Sequence, residues 1–222
     1  MIPTPDLSHL KSADFEHVYE PAEDTFILLD ALEEDANDLR DLQPRTCLEI
    51  GSGSGCVTAF LGSILGSASS LYLTTDINPY ACKCTKTTGA QNKVPIEPLL
   101  ASLASPFRRR LRRSVDILLF NPPYVPTESD EADSAQQHAD IAGAWAGGRD
   151  GMVLTDILLE QVESLLSPTG RFYLVAVKQN DIKGICQRML ERHGLQGEVA
   201  LQRRAGREHL FVLRFRRQQP AT

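Results

Sequence analysis

The chain is predicted to fold as an α/β sandwich: a mostly parallel, seven-stranded sheet closed by an antiparallel C-terminal strand pair. Three observations carry this. Between residues 46 and 193, short apolar runs alternate with helical stretches, the pattern of parallel strands covered by helices on both faces. The first run leads straight into Gly51-Ser-Gly-Ser-Gly55, a strand-to-helix turn. The last two runs, 198–202 and 209–215, have no helix between them and therefore pair antiparallel.

In chain order, Pro21–Leu39 reads as a helix. Pro21 suits a first turn, Glu23 and Asp24 suit the positive helix end, and Phe26, Leu29, Ala31 and Leu32 supply an apolar stripe. It forms a short N-terminal helical extension, about residues 15–41, of one domain spanning residues 1–222. Thr46–Ile50 is the first strand and Cys56–Leu65 the helix after the glycine turn. Leu71–Thr75 is a second strand ending at Asp76, and Pro79 opens a helix reaching about Thr88. Val94–Leu100 is a third strand, placed at an edge by Pro95 and Pro98 because a missing N–H is tolerated there. Val115–Phe120 is a fourth, followed at once by Asn121-Pro-Pro-Tyr124. Residues 126–143 are polar and acidic without periodicity, which predicts a long loop. Met152–Leu166 is a helix stopped by Ser167-Pro-Thr-Gly170, Phe172–Val177 a strand, and Ile182–His193 a helix closed by Gly194.

A chain of 222 residues buries a core without staples, and 42% hydrophobic with 23% charged residues excludes a disordered or collagen-like chain. No run approaches the roughly 18 apolar residues of a membrane span, so no membrane partner is expected. Met1–Leu10 lacks the basic and apolar regions of a secretory signal. Cys47, Cys56 and Cys186 sit in apolar runs and read as small core residues. Cys82 and Cys84 have no second pair, and the histidines are scattered, so no metal site is expected. The net charge of −6 hides an asymmetry: residues 1–41 hold 12 acids and 2 bases, residues 171–222 hold 4 acids and 11 bases. The basic patches Arg108–Arg113 and Arg203–Arg217 read as solvated faces or as sites for an anionic partner.

Glycines two apart after a strand let a ligand approach the backbone closely. The spacing is G-x-G-x-G, not the G-x-G-x-x-G of dinucleotide sites, and no lysine follows to make a phosphate loop. Glu49, two residues before the first glycine, would repel a pyrophosphate and welcome a cation. Asp76 ends the neighbouring strand and can reach a ribose diol, or else cap a helix. An adenosine carrying a positive centre satisfies both acids, and S-adenosylmethionine is such a molecule.

Asn121-Pro-Pro-Tyr124 reads structurally as a rigid turn. Chemically, the Asn121 side-chain carbonyl and the Pro122 backbone carbonyl are two acceptors able to hold a planar –NH2 group, over which the Tyr124 ring can stack. The nitrogen would then face a sulfonium methyl for an in-line displacement. An aspartate at position 121 would still accept, and partial activity is expected of it.

Val18-Tyr-Glu-Pro-Ala-Glu-Asp-Thr25, Cys47-Leu-Glu-Ile-Gly-Ser-Gly-Ser-Gly55, Thr75-Asp-Ile-Asn-Pro79, Phe120-Asn-Pro-Pro-Tyr-Val125 and Ala144-Trp-Ala-Gly-Gly-Arg149 together resemble the eukaryotic release-factor glutamine methyltransferases of the HemK2/Mtq2 type. The resemblance covers residues 15–217 and implies a class I methyltransferase, Rossmann-like fold. It implies S-adenosylmethionine as cofactor, and methyl transfer to the glutamine of a Gly-Gly-Gln loop in the class I translation termination factor. It implies catalytic Asn121, Pro122 and Tyr124. It implies cofactor contacts at Tyr19, Thr25, Glu49, Gly51, Gly53, Gly55, Asp76, Ile77, Ser102, Leu103 and Asn121, and substrate contacts at Asn121, Pro123 and Tyr124. It also implies a heterodimer with a small zinc-binding activator subunit, which would add a strand near residues 93–100, and a location in the cytoplasm and also the nucleus. One departure stands out: the family's acid after strand three, near the adenine amino group, is absent from Leu100-Ala-Ser-Leu-Ala-Ser105, where Ser102 takes its place. Two other readings remain open at this stage. A nucleic-acid adenine-N6 or cytosine-N4 methyltransferase uses the same tetrapeptide, although no added recognition domain is present. A non-catalytic subunit of a modification complex is the other.

Overall fold

The computed structural model describes residues 1–124 and 151–218. Its seven strands form one sheet in the order β3-β2-β1-β4-β5-β7-β6. They are β1 Thr46–Ile50, β2 Leu71–Asp76, β3 Ile96–Leu100, β4 Val115–Phe120, β5 Leu166–Val177, β6 Leu195–Ala205 and β7 Glu208–Arg217. The first five run parallel, and β7 is antiparallel to both β5 and β6. The helices are α1 Glu23–Glu34, α2 Ala36–Asp41, α3 Cys56–Leu65, α4 Pro79–Gln91, α5 Val153–Leu165 and α6 Ile182–His193.

The period of two along each strand divides the core into two layers. Cys47, Ile117, Leu119, Tyr173 and Val175 face α1, α2 and α3. Leu48, Ile50, Leu118, Phe172 and Leu174 face α5 and α6. Because β1 and β4 are buried on both faces, they read as largely apolar runs, interrupted by Glu49 and Asp116. The chain reverses direction outward from β1, with β2 and β3 on one side and β4 and β5 on the other. The crevice at this switch, beyond the carboxyl ends of β1 and β4, is where such sheets bind ligands.

Several elements depart from their sequence expectation. The predicted helix 21–39 divides at Asp35, whose backbone leaves the helix (φ −86°, ψ 4°). The Tyr173 hydroxyl donates to the Asp35 carboxylate at 2.6 Å, and Arg214 pairs with it, so two tertiary partners hold the break. Phe26 is on the surface, while Ile27 and Leu28 join Leu29, Ala31 and Leu32 in the core. The third strand starts at Ile96, after Pro95, and does lie at the sheet edge. α4 extends to Gln91, and both terminal strands outrun their predicted ends. Ser167-Pro-Thr-Gly170 does not interrupt the ladder as a free turn. It bulges within β5, between the pairs Val115↔Leu166 and Ile117↔Arg171. Arg217 stabilises this junction by donating to the carbonyls of Glu163 and Leu166 (2.6 and 2.9 Å), orphan acceptors at the end of α5. Cys186 is half-buried, whereas Cys47 and Cys56 are core residues as expected. No helix among the described residues is long and apolar enough to cross a membrane.

Candidate active site

β1 delivers Glu49 and then the glycine turn to the carboxyl edge of the sheet. Gly51, Gly53 and Gly55 all have positive φ, but they serve two purposes. A Cβ at Gly55 would lie 2.7 Å from the Thr85 backbone, so this glycine lets the turn press onto α4. Gly51 and Gly53 would meet nothing within 4 Å and leave an open cradle. Thr85 donates to Ser52 Oγ (2.9 Å) and Thr88 donates to the Ser54 carbonyl (2.5 Å), fixing the turn from below.

Glu49 is 3% exposed. Thr58 donates to its Oε2 through both backbone N–H (3.1 Å) and hydroxyl. Burial pushes the Glu49 carboxyl up to about 8, against the Thr58 hydrogen bonds, and the Asp76 charge adds to the rise. Ile50↔Thr75 is the last pair of β1 and β2, so Asp76 emerges beside the turn. Its carboxylate accepts from Gly53 N (3.0 Å) and Asn78 N (2.9 Å). Burial raises its pKa, while those backbone donors oppose the rise. Asp76 is not the cap of α4; Asn78 is, accepting from Tyr80 N.

These residues line an open cleft. Tyr19, Thr25, Glu49, Gly51, Gly53, Asp76, Ile77, Ser102, Leu103, Asn121, Pro122 and Pro123 all lie in its wall. Gly55 and Tyr124 do not. Gly55 is turned onto α4, and the Tyr124 ring packs against the core layer of α1–α3. Burial and then the neighbouring Asp24 charge raise the pKa of the Tyr124 hydroxyl. Its hydroxyl therefore lies beside Asp24, which lines the cleft. Val125, the 126–143 loop and Ala144–Arg149 lie outside the described residues.

Sequence reasoning missed three contributors. His17 and Val18 reach the wall because Asn78 donates to the His17 carbonyl (2.7 Å) and the His17 ring stacks on Tyr80 at 4.4 Å. Nothing in their spacing announces this. Asp24 looked like an ordinary acid in a first helical turn, yet it is 4% exposed and faces the cleft. The Asn121 Nδ2 donates to Asp24 at 3.0 Å, and the Tyr19 hydroxyl donates to it at 3.2 Å. Its position inside the Val18–Thr25 motif was the available signal. Asn121 Oδ1, by contrast, is buried and takes no hydrogen bond among the described residues.

The described wall contains Asp24, Glu49 and Asp76 and neither lysine nor arginine. An acid-lined cleft beside an open glycine cradle suits a cationic small molecule with hydroxyl groups better than a polyphosphate.

This sheet order and cleft define a class I methyltransferase fold. Residues 23–144 match the family model described as "Methyltransferase small domain". The chain is 49% identical to human "Methyltransferase HEMK2" over 212 residues, covering 96% of this chain and 95% of that protein. It is 45% identical to the Schizosaccharomyces pombe "eRF1 methyltransferase catalytic subunit mtq2" over 226 residues, 98% and 96% of the two chains. A solved structure of the E. cuniculi Mtq2-Trm112 complex contains a chain that superposes with a TM-score of 0.66 at 25% identity, covering 90% of this chain and 99% of that one. The chain belongs to the HEMK2/Mtq2 family of methyltransferases.

Proposed function

We propose that this protein methylates the side-chain amide nitrogen of the glutamine in the Gly-Gly-Gln loop of the class I translation termination factor, using S-adenosylmethionine. The observation that carries this reading is Asn121: its Nδ2 is committed to Asp24, and its buried Oδ1 has no donor among the described residues at the end of β4. A buried acceptor without a partner costs free energy unless a ligand N–H satisfies it. The buried Pro122 next to it brings a backbone carbonyl as the second acceptor. Two acceptors suit the two hydrogens of a neutral planar –NH2 group, which among protein side chains belongs to glutamine and asparagine; the arginine –NH2 groups are part of a permanent cation. The names of the Schizosaccharomyces pombe relative and of the E. cuniculi complex, which specify eRF1 methylation, favour the termination factor as its bearer.

The cleft fits the cofactor on its own chemistry. Glu49 accepts from Thr58 through Oε2 only, among the described residues, which leaves Oε1 for a ligand. Asp76 would take the ribose hydroxyls, and Ser102, exposed in the wall, would sit where relatives of this family place an acid for the adenine. S-adenosylmethionine, when bound, supplies a sulfonium methyl group open to in-line displacement. The work left to the chain is orientation. An amide nitrogen is a poor nucleophile because its lone pair is delocalised into the carbonyl. Asn121 Oδ1 and the Pro122 carbonyl would fix both N–H groups and stabilise the positive charge that grows on that nitrogen.

We assign the activator, the small zinc-binding subunit that the family resemblance implies, to the β3 edge; the similar solved structure is of a Mtq2-Trm112 complex. Among the described residues β3 pairs only with β2, and Leu100 is 61% exposed at its end, so an added strand would satisfy backbone groups and cover apolar surface. A cytoplasmic location, with the nucleus in addition, accords with this substrate.

The test is mass spectrometry after incubating the co-expressed pair with the intact termination factor, its Gln-to-Glu variant, a DNA duplex and a short RNA. Methylation of the intact factor alone is expected. Methylated nucleic acid with an unmodified factor overturns the reading in favour of a base-modifying enzyme.

A further inference from the structure

We propose that Asp24 is a positioning residue that dictates asparagine at position 121, the two forming a pair whose members are exchangeable together but not singly. The inference deepens the reading above, since it rests on Asn121 holding the substrate –NH2.

Asp24 stands at the start of α1 and is almost fully buried. Its Oδ1 accepts from Thr25 N (2.8 Å) and the Tyr19 hydroxyl (3.2 Å). Its Oδ2 accepts from Asn121 Nδ2 (3.0 Å). An ionised carboxylate only accepts, so it admits one orientation of the Asn121 carboxamide: Nδ2 toward Asp24, Oδ1 away from it. The flipped amide would set two oxygens against each other. Asp24 thereby guarantees that residue 121 offers an acceptor rather than a donor, and Oδ1 is the atom found buried without a partner among the described residues. The charge behind Nδ2 also polarises the amide, making Oδ1 a stronger acceptor as the substrate nitrogen becomes positive.

The same geometry reverses the expectation that N121D keeps partial activity. That change would bring a second carboxylate to within the reach of the present 3.0 Å hydrogen bond, like charges in a buried place. D24N fails differently. The new carboxamide keeps its oxygen on Thr25 N and the Tyr19 hydroxyl and turns an –NH2 toward Asn121, which must flip and show a donor to the substrate. D24N with N121D repairs both faults. The new amide at 24 donates to the new carboxylate at 121, whose second oxygen remains an acceptor. Tyr124, whose hydroxyl lies near the same group, tolerates the exchange because a hydroxyl both donates and accepts.

The experiment is a double-mutant cycle on the chain co-expressed with its activator: wild type, D24N, N121D and D24N/N121D. kcat and KM are measured on the termination factor, with cofactor affinity and thermal midpoint measured for each protein. Each single change is expected to lower kcat about tenfold or more, with a smaller effect on cofactor affinity and a lowered thermal midpoint. The exchange is expected to recover most of both losses. Losses that simply add in the double variant, or a single variant as active as wild type, overturn the proposal. The thermal cycle reads the pair without any substrate. Coupling there with no glutamine methylation by the wild type would sink the substrate reading and leave the pair standing; additive thermal losses would sink the pair and leave the substrate reading untouched.

Discussion

Glu49 carries the clearest consequence at the scale of single residues. With its carboxyl near 8 in the fold and 4.5 as the ordinary value, the native state holds a proton that the unfolded chain has lost between those pH values. Stability therefore falls as pH rises from about 4.5 to 8 and levels off above. E49Q should remove that slope, so that its melting temperature gains on wild type across this window; parallel curves would refute the burial of a protonated Glu49. A cation bound beside Glu49 favours the carboxylate, so cofactor binding should release a proton near pH 7 and tighten as pH rises toward 8. Calorimetry in buffers of different ionisation enthalpy measures that proton. D76A removes a charged acceptor from the same cleft and is expected to weaken S-adenosylmethionine about 10- to 150-fold; unchanged affinity would move the cofactor elsewhere.

Elements are where local rules and packing meet. Gly55 ends the glycine turn with φ +79° and begins α3, in contact with α4. G55A adds a left-handed strain of about 1–2 kcal/mol and a Cβ against the rigid Thr85 backbone, so the loss should exceed about 2 kcal/mol in urea unfolding. A smaller loss would show that α4 can yield. β3 is short and contains Pro98, opposite Thr74 of β2, a residue tolerated because the strand is an edge. Lys86 of α4 donates to the Ile96 carbonyl (3.0 Å), occupying part of that edge. If the activator adds a strand there, amides of residues 96–100 with free N–H groups should gain hydrogen-exchange protection in the complex. Protection confined to another surface would relocate the interface.

At the scale of the whole molecule, the charge asymmetry of the sequence is resolved inside the fold. Arg203 pairs with Asp30, 173 residues away, and lies 3.8 Å from Glu23. Arg214 joins Asp35 and Glu198, and Arg217 joins Glu163. The acidic N-terminal helices are thus clasped to the basic C-terminal hairpin, and much of the Arg203–Arg217 patch faces its own chain. Arg108, Arg109, Arg110 and Arg112 have no ion pair among the described residues and remain solvent-facing. The Asp35–Arg214 pair is the less exposed one, so D35A, which also orphans the Tyr173 hydroxyl, should cost about 2–4 kcal/mol. R203A, at a more exposed site, should cost about 1 kcal/mol or less. Equal losses would mean that burial does not set the strength of this clasp.

The sequence by itself determined whatever repeats locally or needs a special residue. Apolar runs named the strands, Gly194 ended α6, the prolines put β3 at an edge, and the spacing of Glu49, the glycines and Asp76 located the cleft. Those features depend on backbone geometry within a few residues, so they are visible in one dimension. Only the tertiary structure decided the partners of charged and polar side chains. It split the first helix at Asp35 and turned Asp24 from a helix-end acid into the anchor of Asn121, 97 residues away. A hydrogen bond is directional and short, but its partners can come from anywhere in the chain, so its existence is fixed by packing rather than by neighbouring sequence.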